Sequence, residues 1–565
     1  MKTPFVILTL AEAAKQLDKS LPLFADTETV GLYGKVRLLQ LYQEHLEHVL
    51  LVEWPQEIEM LAMMDAYTQV YHNAHYDVTV MQEHSGIHSF RPKSFEDTFL
   101  LSRLAIPDKE KYSLDDVMGY VLGYDPYERQ HLNKKALQKS DWSKRELTQE
   151  QLLYAATDVY YMPAVYDACK HMLDDTSYKL DKFTLQNCWK IQWNGMPVDH
   201  SRLNARYAEN EQAIAAIDMP INANSWQQVR KWLDCTESDD LALATMEIQG
   251  NERAGNIRKV RKLRKQQSFL DKFRQERIFG KFKPSARSGR LTSDDQNLQQ
   301  LPRALKGVFG FQPGEGKVLV YADYAQLELR TICAITNCLA MAKIFREGGD
   351  LHNYTAELIY GKDFTKQHRQ ISKSYNFTLL YGGGISMVIS YMIKTAMLLL
   401  PEHQVNQDRK KWRRTWREIY AWQESGISSW RKGRLGSTPM GRKYKAKMMT
   451  DQLNIENQGA GAEVSKLAFH YFMKRDMEEA KVCNFIHDSF IIECDDDPEV
   501  YKRVATALAE DMATAWAEMS GLFAIKDLPM PVNVMVGYNW GDIEDEDVAN
   551  IWDYELDGMW AHAKV

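Results

Sequence analysis

At 565 residues, 45% apolar and 26% charged, the chain is too long for one ordinary core and too apolar to be disordered, so two or more folded units are expected. No run of roughly 18 apolar residues exists to cross a membrane, and MKTPFVILTLAEAAKQLDKS lacks a small-residue cleavage pattern, which predicts a soluble, unexported, cytoplasmic protein with no membrane partner. The 7 cysteines are scattered without a C-x-x-C pair, against a disulfide framework or zinc site, and the net charge of −7 leaves room only for local basic patches.

In chain order, LPLFADTETV reads as a strand whose period-2 alternation sets Asp26 and Glu28 on one face, where they can share a metal. The β-type YTQVYHNAHYD then brings Asn73 and Asp77. QLLYAATDVYYMPAVYDACKHML is helical in period, with Tyr154 and Asp158 four apart on one face. Together these predict an α/β unit ending near residue 180. Phosphodiester hydrolysis needs such a set, because hard divalent cations that activate water want carboxylate oxygen, and Tyr154 can orient the attacking water.

The turn-rich NGMPVDHS marks the next start, and residues 200–285 are mostly helical in pattern. Residues 251–306 hold 16 basic against 5 acidic side chains, including VRKLRKQQSFLDKFRQER; residues 408–445 hold 12 against 3, with RKKWRRTWREIYAW interleaving cations and aromatics. Two basic runs flanking an acidic region predict a groove that tracks phosphates. Between them KVLVYADYAQLELR ends an apolar strand at Asp323, with Glu328 and Arg330 close behind. In HRQISKSYNFTLLYGGG, Arg369, Lys373, Phe377 and Tyr381 recur every fourth residue and drift only about 40° per step, so they line one helix face. Two cations followed by two aromatics suit a triphosphate and a stacked base. After helices over about 350–432, NFIHDSFIIEC places His487 and Asp488 in the middle of an apolar hairpin, where a charge needs a metal or partner. Asp323 and Asp488 thus invite two metals.

The ordered D-x-E, N-x3-D and Y-x3-D of the first set resemble the three motifs of the DEDDy 3′→5′ exonucleases, which have an RNase H-like fold. That resemblance implies Asp26, Glu28, Asp77 and Asp158 as metal ligands, Tyr154 as the residue that positions water, and a helix from Asp97 in DTFLLSRLAIP. The second set resembles motifs A, B and C of family A DNA polymerases, the DNA polymerase I group, whose motif B is R-x3-K-x3-F-x3-Y-G. Here that is Arg369, Lys373, Phe377, Tyr381 and Gly382. Further segments resemble the family too: SGRLTSDDQNLQQLPR, DLHNYTA, NIENQGAGAEVSK and GYNWGD.

The resemblance implies an α/β and α+β multidomain chain. An RNase H-like exonuclease at 1–180 precedes a right-hand polymerase at 181–565, with the thumb about 200–285, the palm about 286–345 and 446–565, and the fingers about 346–445. It implies Asp323, Tyr324 and Asp488 as metal ligands and Lys373 as a proton donor. Gln326, Glu328, His352, Arg369, Lys373, Phe377 and Tyr381 would bind nucleotide, Glu328 and Tyr381 closing the 2′ side and Phe377 discriminating against dideoxynucleotides. Arg290, Asn297, Gln299, Asn454, Gln458 and His487 would bind DNA. The implied function is template-directed DNA synthesis in replication with 3′→5′ proofreading, using two Mg2+ per site with Mn2+ able to substitute. Implied partners are primer-template DNA, deoxynucleoside triphosphates, and a replisome helicase or single-strand binding protein.

The pattern departs at Ser489, where the family's motif C has Glu, leaving Glu493 or a water to serve. Milder departures are Glu463 for Asp and Ser288 for Thr. A start almost at the exonuclease leaves no room for a 5′-nuclease domain, a compact plan like that of phage-encoded members, which would place the protein in the host cytoplasm. The short stretch between Trp232 and Arg258 excludes a long processivity-factor loop, and DDDPE and DIEDED read as solvated turns. Two competing readings are a nuclease whose C-terminal part only holds substrate, and a non-catalytic primer-template clamp. The first leaves Asp323, the motif B face and Asp488 without purpose, and intact carboxylates oppose the second.

Overall fold

The computed structural model describes residues 2–545 and 548–554; the end of DIEDED and residues 555–565 of the expected palm lie outside the described residues. By contacts the chain forms two units, one running to Trp193 and including Lys281–Thr292 and Met440–Lys445, the other made of the remainder.

The first unit grows from strands β1 (Phe5–Ile7), β2 (Leu23–Thr29), β3 (Val36–Tyr42), β4 (Val49–Glu53), β5 (Gln69–Tyr71) and β6 (Phe95–Asp97), in the spatial order β1-β4-β3-β2-β5-β6. Every residue of β3, VRLLQLY, is buried, so this strand is covered on both faces. Beside it β2 runs antiparallel, with Asp26 opposite Gln40 and Glu28 opposite Leu38. Leu23, Phe24, Ala25 and Thr27 are buried while Asp26 and Glu28 are half-buried, as alternation with both carboxylates on one face requires.

Helices α1 (Ala74–Ser85), α2 (Thr98–Ala105), α3 (Gln149–Tyr160) and α4 (Thr176–Ile191) supply the rest of the frame. The helical pattern around YAATD breaks at Tyr161, because Pro163 opens the next helix in its first turn. Through residue 180 α4 continues, burying Tyr178, Leu185 and Trp189 in the first core, with Trp189 against Phe95 at 4.8 Å between ring centres.

Asp97 joins two helix starts. Its buried carboxylate accepts from the N–H groups of Asn73 and Ala74 (both 3.0 Å) and of Phe99 and Leu100 (2.8 and 3.4 Å). Four donors that α1 and α2 leave without a helical partner are met by one side chain. Burial pushes its carboxyl up to about 6 even so, because these bonds only partly offset the loss of solvent.

In the second unit, α5 (Glu252–Leu270) carries the first basic run. Some of that charge is structural rather than free: Arg258 pairs with Asp240 (2.9 Å) and Glu247 (2.5 Å), and Arg261 donates to the carbonyls of Ala223 and Ser238 (2.6 Å each). Arg253, Lys259, Lys262, Arg264 and Lys265 remain exposed. An antiparallel sheet follows, made of β7 (Lys317–Tyr324), β8 (Lys481–Ile486), β9 (Ser489–Asp495), β10 (Val532–Gly537) and β11 (Trp552–Tyr554), in the order β8-β9-β7-β10-β11. Between β7 and β8 in sequence lie α6 (Leu327–Thr336), α7 (Leu351–Tyr360), α8 (Lys366–Leu380) and α9 (Met449–Lys474), and α10 (Pro498–Ser520) packs on both α9 and the sheet. Two aromatics of the second basic run are core: Trp412 and Trp416 are buried, and the Trp412 indole donates to Asn376 of α8 at 2.9 Å.

Replacing Asp97 with Ala leaves four helix-start donors buried and unpaired. We expect Asp97→Ala to destabilise the first unit by about 2–4 kcal/mol, seen by chemical denaturation as a transition at lower denaturant, with the second unit's transition unmoved.

Candidate functional site

The first unit brings together the carboxylates of Asp26 and Glu28 on β2 and Asp158 on α3, with ligand oxygens all within 4.8 Å of one another. Asp77 on α1 lies beside them, 1% exposed, and accepts the Thr27 hydroxyl at 2.8 Å. Burial, reinforced by the neighbouring Asp77, Asp158 and Glu28, holds Asp26 well above the ordinary aspartate range. Glu28 is raised by the same burial and like charge. Burial pushes Asp77 up to about 7 and Asp158 to about 6. Hard oxygen donors crowded this closely repel one another unless a cation or proton intervenes, so the donor set fits a divalent metal.

Tyr154 lies one turn before Asp158 on α3, buried among the acids, which together with burial hold its phenol well above 10. A second tyrosine, invisible to the motif spacing, joins it: the buried Tyr127 donates its hydroxyl to Asp158. Lys134, paired with Asp115 at 2.7 Å and standing 4.9 Å from the Tyr127 ring centre, brings the positive charge that opposes the rise of Glu28 and Asp158.

In the second unit Asp323 sits near the end of β7, opposite Ser489 on β9 and Asn533 on β10. Burial, then the neighbouring Asp488, push its carboxyl up to about 7. His487 and Asp488 form the two-residue turn of the β8-β9 hairpin rather than its middle, because Ile486 pairs directly with Ser489. His487 takes a left-handed φ of 56° and is exposed, and Asp488 is half-buried. The expected stand-in for the missing motif C carboxylate is not there: Glu493 pairs across the sheet with Leu319, far up the strand, and is bound by Arg277 at 2.5 Å. Ser489 instead shares a hydrogen bond with Tyr321, and Glu544 adds negative charge near Asp323.

Along α8, Arg369, Lys373, Phe377 and Tyr381 are half-buried while most positions between them are buried, so this row is the helix's open face. Arg369 pairs with Asp350 at 2.9 Å, and Gln326, itself at a left-handed φ of 53°, donates to the same carboxylate at 3.0 Å. The Tyr381 hydroxyl donates to Glu328. His352 is buried, bonded to Asn376 at 3.0 Å and set 5.5 Å from the Phe377 ring centre; burial lowers it to about 4, so it is neutral at pH 7. Tyr324 turns its side chain into the core, where the hydroxyl donates to the Met512 carbonyl at 2.8 Å. Arg330 is a strut, bonded to the carbonyls of Ala325 and Pro529 at 2.9 and 2.6 Å and stacked over Phe345.

Asn454 and Gln458 lie one turn apart on α9, Asn297 caps a short turn through the Gln299 N–H at 3.1 Å, and the Gln299 amide donates to the Phe485 carbonyl at 2.8 Å. Arg290 belongs by contacts to the first unit, apart from the other residues expected to bind DNA.

Comparison with known proteins finds two families along the chain. The family described as "DNA polymerase family A" matches residues 199–542, and that described as "3'-5' exonuclease" matches residues 7–174. The DNA polymerase I of Aquifex aeolicus is 26% identical over 94% of this chain and 98% of its own. The thermostable DNA polymerase I of Thermus aquaticus is 26% identical over 47% of this chain and 33% of its own, and the DNA polymerase of Bacillus phage SP01 is 23% identical over 48% and 32%. Among solved structures, the POL domain of Pol1 from M. smegmatis, in complex with DNA primer-template and dNTP, superposes with a TM-score of 0.74 at 18% identity. It covers 95% of this chain and 99% of its own, and so shares the fold.

Because Asp77, Asp158 and Asp323 titrate at about 7, 6 and 7, the metal-free folded chain holds protons that the unfolded chain releases. Stability from these groups is full below the ordinary range near 3.8 and is lost as pH rises through those raised values. The thermal midpoint without metal should therefore fall between about pH 5 and pH 8, and a divalent cation should restore more at the higher pH by displacing those protons. Calorimetry with and without the cation reads both trends.

Proposed function

The chain belongs to DNA polymerase family A and is a DNA-directed DNA polymerase with a 3′→5′ proofreading exonuclease, and we propose the residues that divide these two activities between its carboxylate sites. The family depends on divalent metal. The reading supported by the all-oxygen donor sets is two Mg2+ per site, with Mn2+ able to substitute. When bound, such ions neutralise developing charge and lower the pKa of the attacking oxygen.

In synthesis, Asp323 and Asp488 hold the ions and orient the primer 3′-hydroxyl on the α-phosphate, with Tyr324 able to contribute only main-chain atoms. The 3′ oxygen gives up its proton to solvent and bonds to the α-phosphorus, the bond from that phosphorus to the bridging oxygen breaks, and Lys373 would protonate the departing pyrophosphate. Arg369 exchanges Asp350 for the triphosphate, with Gln326 and a neutral His352 beside it. Glu328 and Tyr381 close the 2′ side of the sugar, and Phe377 discriminates against dideoxynucleotides. Arg290, Asn297, Gln299, Asn454, Gln458 and His487 hold the primer-template.

In proofreading, Asp26, Glu28, Asp77 and Asp158 hold the ions, and Tyr154 positions the water that attacks the terminal phosphodiester. The exonuclease spans about 1–180, with the thumb at about 200–285, the palm at about 286–345 and 446–565, and the fingers at about 346–445. Among the described residues no helix is long and apolar enough to cross a membrane. A cytoplasmic replication role, with primer-template, deoxynucleoside triphosphates and a replisome helicase or single-strand binding protein as partners, agrees with this chemistry.

The observation that carries the reading is that Asp323 and Asp488 are neighbours in the same unit as the open row of α8, with a separate acid cluster in the other unit. Extension of a 5′-labelled primer with magnesium and four deoxynucleotides tests it. Wild type should extend the primer, Asp323→Ala should only shorten it, and Asp26→Ala should extend without shortening. If wild type only shortens the primer at high nucleotide, the assignment of the second site fails.

A further inference from the structure

The gate formed by Glu328 and Tyr381 has a third member that no motif names. Asn457, on α9 and fully buried, uses both hydrogens of its amide: one goes to the Glu328 carbonyl at 2.9 Å and the other to the Tyr381 hydroxyl at 3.1 Å. Its oxygen accepts the Thr331 hydroxyl at 2.7 Å. The amide's orientation follows from its partners, since the Glu328 carbonyl can only accept and the nitrogen must therefore face it. One side chain thus joins α6, the end of α8 and α9.

This matters because Tyr381 lies at the point where α8 stops, with Gly382 following at a left-handed φ of 75°. There the Tyr381 hydroxyl is held from two sides, donating to the Glu328 carboxylate while accepting from Asn457. We propose that Asn457 is a positioning residue for sugar selection, holding the Tyr381 hydroxyl and the Glu328 main chain in the geometry that excludes a 2′-hydroxyl. The inference rests on the roles assigned to Glu328 and Tyr381.

The full chain is assayed for incorporation of a deoxynucleotide and of the matching ribonucleotide, as a ratio of kcat/KM. Asn457→Leu removes both donors at similar volume and should narrow the ratio by about tenfold, the loss expected for one buried hydrogen bond. Retained deoxynucleotide incorporation reports that the second unit is folded. Placed on Tyr381→Phe, where the hydroxyl is already gone, Asn457→Leu should narrow the ratio by no more than about twofold further. Thr331→Val, a gentler change, should move the ratio the same way by loosening the amide. If Asn457→Leu and Thr331→Val leave the ratio unchanged while Glu328→Ala narrows it, or if the Asn457 effect persists in full on Tyr381→Phe, the proposal is overturned. If Glu328→Ala leaves the ratio unchanged, the gate itself is wrong and the proposal falls with it.

Discussion

Like charge held at close range is the constraint on which this molecule depends. Two sites bring carboxylates together where burial already disfavours ionisation, and neither chain segment would hold that arrangement alone. In both, a strand locked between two neighbours carries the key residue: β2 lies between β3 and β5, and β7 between β9 and β10. A paired strand cannot swing a side chain away from its neighbours without breaking ladder hydrogen bonds. The repulsion is therefore stored until a cation or a proton relieves it.

The supporting residues follow the same logic. Asp97 is spent on helix starts rather than on metal, which fixes Asn73 and sets where α1, and so Asp77, begins. Asn376 does the equivalent work under α8, accepting from Thr355 at 3.1 Å and from Trp412 at 2.9 Å while donating to His352. Buried amides and carboxylates of this kind trade hydrogen-bond capacity for direction, and the direction is what the open row of α8 needs.

Much of this was legible in the sequence because the signals are local. Period 2 placed Asp26 and Glu28 on one face, and a spacing of four placed Arg369 to Tyr381 on one stripe, since both follow from backbone geometry alone. Signals that depend on long-range packing were not legible. Tyr127 reaches Asp158 across 31 residues, and Asn457 reaches Tyr381 across 76. Glu493, four residues past Ser489, lies far up β9, because four residues of extended strand carry a side chain about 13 Å. The basic runs misled in part for the same reason: Arg258 and Arg261 spend their charge on local partners, and Trp412 and Trp416 face inward.

Arg369 shows how such a site is kept ready without being trapped. Its partner Asp350 also caps α7 through the Asn353 N–H at 2.7 Å and holds Gln326, so the carboxylate is committed whether or not Arg369 stays. Burial raises this carboxyl, and the Asn353 bond and the Arg369 charge more than reverse that, so it is ionised across the neutral range. The guanidinium is 36% exposed, which limits the pair to about 1 kcal/mol or less. A group bearing several negative charges on the same face outbids one screened carboxylate, while Asp350 loses little on release because the Asn353 N–H and the Gln326 amide still donate to it. In the proposed nucleotide role, Arg369 is thus aimed before nucleotide arrives and is free to leave when it does.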